Sequence, residues 1–335
     1  MTSLYVDRRG VTLKVDGEAL VFFENGERVG TVPLAPLSRV FLRGEVTLTS
    51  SLLGKLGERN IGVVVLSGRK AAPTMLLGRP HNDASRRVAQ YQLSLNPEYC
   101  MTFARALVGT KLRAQADFLI ERRDLEPMSR YVLTAAHRRI AGVIGALDRQ
   151  GSTGALRGLE GAGAAAYFSG FGDLFAARLK FSHRNRRPPK DPVNAVLSLG
   201  YTLLHAEAVL ALYGAGLDPF IGFYHTLDFG RESLACDIVE PLRVEVDRHA
   251  LMLFRDERLR CDDFSHVDGA CLLGKAGRAR FYAEWEPLAE RLRRLLAVCV
   301  ADVAAKIGEA CVPDARAPVC VNLVNHECAE PKGCA

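Results

Sequence analysis

Long apolar runs are missing from this sequence, and so is the pattern of a cleavable leader. Met1 is followed by Thr2, Ser3 and a strand-like Leu4-Tyr5-Val6-Asp7, with no cationic start, apolar core or small-residue cleavage site, so a secretory signal is not expected. The most hydrophobic stretch, residues 201–224, still carries His205, Glu207 and Asp218, which predicts a buried helix rather than a membrane span. The protein is therefore expected in the cytoplasm, with no membrane partner. Its nine cysteines, an odd number, then read as reduced thiols. Closely spaced cysteines are scarce where they would matter. In the tail, Cys311, Cys320, His326, Cys328 and Cys334 show none of the two-to-four-residue gaps with which a turn grips zinc, which argues against a zinc knuckle. A strong excess of one charge is missing too. The net charge of +6 and pI near 8.9 fit an anionic partner without separating DNA from RNA or lipid.

What is present has the scale of two domains. A chain of 335 residues, 48% of them apolar, is too long for one small core. From Leu4 to Leu66, short runs such as Val11-Thr-Leu-Lys-Val15 and Leu20-Val-Phe-Phe23 alternate with turn residues and predict strands, with one helix at 51–59. Asn25-Gly26 marks a tight hairpin, because both central residues must take positive φ. Residues 67–83, rich in Gly, Pro and basic residues, read as a hinge. Beyond 84 the periodicity becomes helical, with helices predicted at 127–149, 162–181, 192–213 and 283–308. The expected class is α+β, a small N-terminal β-sandwich-like domain followed by a larger all-helical catalytic domain. The boundaries expected are 1–84, 85–311 and a Cys-rich tail at 312–335.

Two glycine-rich stretches imitate nucleotide sites and fail on context. Gly269-Ala-Cys-Leu-Leu-Gly-Lys-Ala276 has Ala276 where a phosphate loop needs a hydroxyl, and no buried strand precedes it. Gly161-Ala-Gly163-Ala-Ala-Ala166 follows no β-strand. The segment 158–172 reads instead as the start of a helix whose small residues admit close packing, with Glu160 near its N-terminus, where the dipole favours an anion.

Glu160, His225 and the pair Asp237 and Glu240 carry the chemical signal. On a helix, Asp237 and Glu240 share a face, and two anions held that close repel unless a cation is present. The same spacing also suits a solvated helix face. His225 leaves the apolar run Asp-Pro-Phe-Ile-Gly-Phe-Tyr and presents an imidazole. Mixed carboxylate and imidazole ligation suits Mn²⁺ as well as Mg²⁺. Pro241 disfavours α geometry at Glu240, so the helix is predicted to end or kink there. The loop Ser182-His-Arg-Asn-Arg-Arg-Pro-Pro-Lys190 offers Arg184, Arg186, Arg187 and Lys190 as candidate backbone-tracking cations, or else is a solvated surface loop.

Five ordered blocks then carry a resemblance. Leu159-Glu160-Gly161, Tyr167-Phe168, the run from Asp191 to Leu204, Gly216-Leu-Asp-Pro-Phe-Ile-Gly-Phe-Tyr-His225 and Gly230-Arg-Glu-Ser-Leu-Ala-Cys-Asp-Ile-Val-Glu-Pro-Leu-Arg243 resemble the CRISPR-associated spacer-acquisition integrase family, the first-numbered Cas protein. The resemblance implies a dimerising N-terminal β domain and a helical domain binding Mn²⁺ or Mg²⁺ through Glu160, His225 and Glu240, with Asp237 at a further acidic position of the catalytic motif. It implies a metal-dependent DNA endonuclease and integrase that works with the second-numbered Cas protein on double-stranded DNA. Such an enzyme joins the 3′ hydroxyl of short foreign DNA to a phosphodiester at the CRISPR repeat. Arg178, Arg231 and Arg243 flank matched blocks and join the candidate DNA-binding residues. The rival readings are a repair nuclease on branched DNA and a non-enzymatic DNA-binding scaffold whose acids are structural.

Overall fold

The computed structural model describes residues 2–66, 73–78, 81, 83–185 and 188–310. The N-terminal strands are β1 (Thr2–Asp7), β2 (Val11–Asp16), β3 (Ala19–Glu24), β4 (Glu27–Pro33), β5 (Leu37–Arg43), β6 (Val46–Leu48), β7 (Gly62–Val65) and β8 (Thr74–Leu76). They form two four-stranded sheets, ordered β1-β5-β7-β8 and β4-β3-β2-β6. Asn25 and Gly26 take φ of 51° and 85° and close the two-residue hairpin between β3 and β4, as their sequence demands. Alternation puts Val11 and Leu13 inward on β2. With Leu20 of β3, Val40 and Leu42 of β5, and Leu52 and Leu56 of α1 (Ser50–Glu58), they form one core between the sheets. β8 falls inside the stretch expected to be a hinge. Residues 67–72, 79–80 and 82 of that stretch lie outside the described residues.

Helices follow: α2 (Ala84–Ser94), α3 (Pro97–Leu125), α4 (Arg130–Ile144), α5 (Thr153–Gly172), α6 (Pro192–Gly214), α7 (Ser233–Val239), α8 (Arg243–Arg255) and α9 (Lys275–Ala310). The starts of α3 and α6 are written locally. In each, an Asn or Asp side chain, Asn96 or Asp191, accepts from backbone N–H groups of the first turn while a proline opens the helix. The expectation of an all-helical second part needs one correction, because β9 (Phe264–Val267) and β10 (Ala270–Leu273) form an antiparallel hairpin before α9. Their four-residue runs are too short for periodicity to separate from loop. The helix predicted at 162–181 is displaced. α5 begins nine residues earlier, capped by Ser152, and stops at Gly172.

By length and composition α6 reaches membrane-spanning size, contrary to the first reading of its sequence. It is the core helix instead, burying Leu197, Leu203, Leu204 and Leu212 among α7, α8 and α9. Glu207, on the same helix, is buried and paired with Arg39 of β5 and Arg293 of α9, both at 3.1 Å. Tyr5 of β1 stacks between Phe41 and Tyr282 and donates to Glu286 of α9 at 3.0 Å. These contacts fasten the first sheet to the helices.

Candidate metal centre

α3 and α5 approach closely because Gly163 faces Leu112, where a Cβ would stand only 2.5 Å from a Leu112 methyl. That approach brings Lys111, the residue before Leu112, against Glu160, one turn before Gly163. The Lys111 ammonium is hydrogen-bonded to Glu160 Oε1 and lies 2.7 Å from Glu240 Oε2. Glu240 arrives from a third direction. Pro241 ends α7 at Val239 and turns Glu240–Leu242 into a 3-10 segment that packs on α3. The helix ends before this proline as expected, but Glu240 itself keeps α geometry, with φ of -55° and ψ of -46°, contrary to the expectation. Glu160 is the eighth residue of α5 rather than part of its first turn, so the helix dipole does not account for its charge.

The remaining oxygens are held as well. Tyr224 Oη donates to Glu160 Oε2 at 2.6 Å, and Arg243 Nε lies 3.1 Å from Glu240 Oε1. Burial alone would push the Glu240 carboxyl up. Arg243 and Lys111, helped by His225, reverse that and hold it at about 2. Burial and the Glu160 carboxylate push the Tyr224 phenol well above its usual range, so it remains a donor.

His225 and Asp237 form a unit. Gly222 lies so close to the start of α7 that a Cβ there would meet the Ser233 carbonyl carbon at 2.7 Å and Asp237 Oδ2 at 2.8 Å. The loop thus wraps the helix end, and Asp237 accepts from the N–H groups of Phe223, Tyr224 and His225 at 2.8, 3.1 and 3.0 Å. It also accepts from His225 Nδ1 at 2.7 Å. Being an acceptor only, the carboxylate fixes a proton on Nδ1, so a neutral ring carries its lone pair on Nε2. The sequence reading treated Asp237 and Glu240 as an anion pair that calls for a shared cation. The charges are met separately: Asp237 is fully buried beneath the loop and answered by four donors, and Glu240 faces Lys111 and Arg243.

A layer of aromatic and acidic groups supports Arg243. Its guanidinium lies 4.8 Å from the Tyr201 ring centre, and that of Arg184 lies 5.3 Å from the same ring. Tyr201 and Tyr167 both donate to the buried carboxylate of Asp247, Tyr167 at 2.9 Å. Burial raises Asp247 to about 6 against the lowering effect of the two phenols and of Arg243.

Two of the expected DNA-binding residues, Arg243 and Arg184, have partners within the fold. Arg243 serves Glu240, and Arg184 donates to Asn194 Oδ1 at 2.7 Å and Ser198 Oγ at 3.2 Å, so both guanidinium groups are engaged inside the fold. Charge and loop composition could not separate them from surface cations. Arg178 is exposed beside Glu257, Arg231 sits on the loop after His225 beside Asp228, and Lys190 is exposed. Arg186, Arg187 and the tail at 312–335 lie outside the described residues.

Among the described residues, no three His, Cys, Asp or Glu side chains are gathered as a finished metal-binding group, and Lys111 stands between the two glutamates. The donor set nonetheless fits a divalent ion. Two carboxylates from different elements already share one cation, and the His225 imidazole has one nitrogen on a carboxylate, which leaves the other for a metal. Lys111, Tyr224, Tyr201 and Asp247 were missed in the sequence. The signals on offer were the adjacency of Tyr224 to His225 and the place of Tyr201 in the block from Asp191 to Leu204.

A family model described as CRISPR associated protein Cas1 matches residues 4–287. The CRISPR-associated endonuclease Cas1 1 of Thermodesulfovibrio yellowstonii is 40% identical over 298 residues, covering 88% of this chain and 93% of that protein. A casposase bound to integration product has a TM-score of 0.74 at 22% identity, over 92% of this chain and 90% of its own. A chain of a Cas6-RT-Cas1–Cas2 complex has a TM-score of 0.77 at 24% identity, over 92% of this chain and 35% of its own. These two likenesses are of fold.

Proposed function

The chain belongs to the Cas1 family of CRISPR-associated DNA endonucleases and integrases, and from that premise we propose that Glu160, His225 and Glu240 hold the divalent metal of its active site. The observation that carries the reading is the cation already shared by Glu160 and Glu240, with His225 oriented through its Nδ1 by Asp237. Mn²⁺ or Mg²⁺ is the metal proposed, and when bound it supplies Lewis-acid stabilisation of charge on phosphoryl oxygens. This chain's own residues prepare the ligands. Tyr224 orients Glu160, Arg243 orients Glu240, and Asp237 fixes the tautomer and direction of His225, so that no ligand must reorganise when charge develops.

The reaction is an in-line displacement at phosphorus. In integration, the 3′ oxygen of a short DNA forms a new P–O bond as the bond to the departing 3′ oxygen of the repeat breaks. The attacking hydroxyl loses its proton, and the leaving oxygen takes one. Because one phosphodiester replaces another, no nucleotide triphosphate is required. Water in place of the hydroxyl gives endonuclease cleavage. Arg178, Arg231 and Lys190, with Arg186 and Arg187, are proposed to hold the DNA backbone. The partners proposed are double-stranded DNA, Cas2 and a second copy of the chain joined through the sheets of residues 1–84, with residues 85–311 as the catalytic part and the cytoplasm as the compartment. An assay with short duplex DNA, Cas2, Mn²⁺ and a supercoiled repeat plasmid tests the reading. Joined molecules support it, and nicked plasmid alone would mark a repair nuclease. Activity that survives chelation and Glu160→Gln would mark the acids as structural.

A further inference from the structure

Lys111 is the cation closest to both acidic ligands, and nothing in its surroundings assigns it to DNA. Its side chain is 11% exposed and reaches from α3 across to α5 and the 3-10 turn, meeting Glu160 and Glu240 at once. Tyr224 and Arg243 take the outer oxygen of each glutamate, so Lys111 holds the inner pair, the two oxygens that converge. Glu240 Oε2 is buried and has no hydrogen-bond partner among the described residues, so the Lys111 ammonium at 2.7 Å is what faces it. An ammonium in that position neutralises the repulsion between two carboxylates in the absence of a metal, and it occupies the space a divalent ion needs.

We propose that Lys111 is a resident counter-ion of the metal centre, which holds Glu160 and Glu240 together before metal binds and must swing out when a divalent ion arrives. The inference rests on Glu160, His225 and Glu240 being the ligands. A flexible four-carbon stem makes the exchange feasible, because the charge moves without any change in the backbone. The consequence is a lowered apparent metal affinity, since a site that is competent only while the ammonium is away binds in proportion to that fraction. The centre is thereby kept assembled in the absence of metal and loads only when the divalent ion is abundant.

Isothermal titration with Mn²⁺ alone, on the full chain, tests this with wild type, Lys111→Met and His225→Ala side by side. Lys111→Met is expected to tighten Mn²⁺ binding by about tenfold or more, corresponding to a wild-type site open at most about a tenth of the time. It is also expected to lower the midpoint of thermal unfolding in chelator and to recover it with Mn²⁺. His225→Ala is expected to weaken binding. Unchanged or weaker affinity in Lys111→Met, with His225→Ala still impaired, overturns the counter-ion role while leaving the ligand assignment standing. Wild-type affinity in His225→Ala overturns the ligand assignment and with it this inference. Should Lys111→Met fail to fold, the wild type gives a second reading. Acetylation of the Lys111 amine, followed by mass spectrometry, should rise several-fold when Mn²⁺ is added, and an unchanged rate refutes the displacement.

Discussion

Replacing Asp237 by asparagine changes one atom and one charge in a place where four donors converge. One carboxylate oxygen accepts from the N–H groups of Phe223 and Tyr224, and the other from His225 N–H and Nδ1–H. An amide has one acceptor oxygen. If Asp237→Asn turns its NH₂ toward His225, that group opposes two donors, and if it turns the other way it opposes the loop N–H groups of Phe223 and Tyr224. Either way two donors lose their acceptor, at about 1–3 kcal/mol each, so a loss of roughly 2–6 kcal/mol in stability is expected before any rearrangement. In the first orientation the imidazole has an escape. Its proton moves to Nε2, which relieves the clash and removes the lone pair offered to the metal. Loss of such an orienting partner typically lowers metal affinity by about 10–100-fold. Thermal unfolding followed by circular dichroism measures the first effect, and Mn²⁺ titration well below the transition measures the second. A folded Asp237→Asn variant with wild-type midpoint and wild-type Mn²⁺ affinity refutes the role given to this carboxylate.

Glu207→Ala leaves Arg39 and Arg293 facing a buried gap, and a destabilisation of about 3 kcal/mol is expected in urea unfolding. Metal affinity at low temperature should be retained, because the cluster ties β5 to α6 and α9 and touches no ligand. Asp247 gives a pH signature of the opposite sign to a salt-bridged acid. Its folded pKa of about 6 lies above the unfolded 3.8, so the folded form binds a proton first and stability should rise by about 1 kcal/mol between pH 7 and pH 5. Asp247→Asn should abolish that rise in chemical denaturation. Glu240 runs the other way. Held at about 2 against 4.5, it contributes stability above pH 4.5 that is lost as pH falls toward 2, and Glu240→Gln should flatten this acid limb.

The chemistry of the centre was legible where one residue type has few alternatives. Glu160, His225 and Glu240 sit in or beside segments whose glycines and proline have mechanical roles: Gly163 admits Leu112, Gly222 admits the end of α7, and α7 gives way to a 3-10 turn at Glu240-Pro241. The Asn25-Gly26 turn and the Asp191-Pro192 helix start were equally readable, because their conformations are set within two or three residues. Lys111 was hidden. It is one of many basic residues on a 29-residue helix, and only the packing of α5 and the 3-10 turn against that helix distinguishes it. Arg184 and Arg243 show the same limit in reverse. Charge in a loop or beside a motif does not show that Tyr201, Asn194 and Glu240 hold these cations. The hairpin β9–β10 and the early start of α5 escaped because short runs and small residues carry weak periodicity.

Crystals of the protein soaked in Mn²⁺ offer the most direct measurement, the anomalous difference map at the manganese edge. A peak is predicted about 2.1 Å from an oxygen of Glu160, an oxygen of Glu240 and Nε2 of His225, with the Lys111 side chain turned away from both carboxylates. A map with Mn²⁺ bound elsewhere and Lys111 still bridging Glu160 and Glu240 would contradict the account.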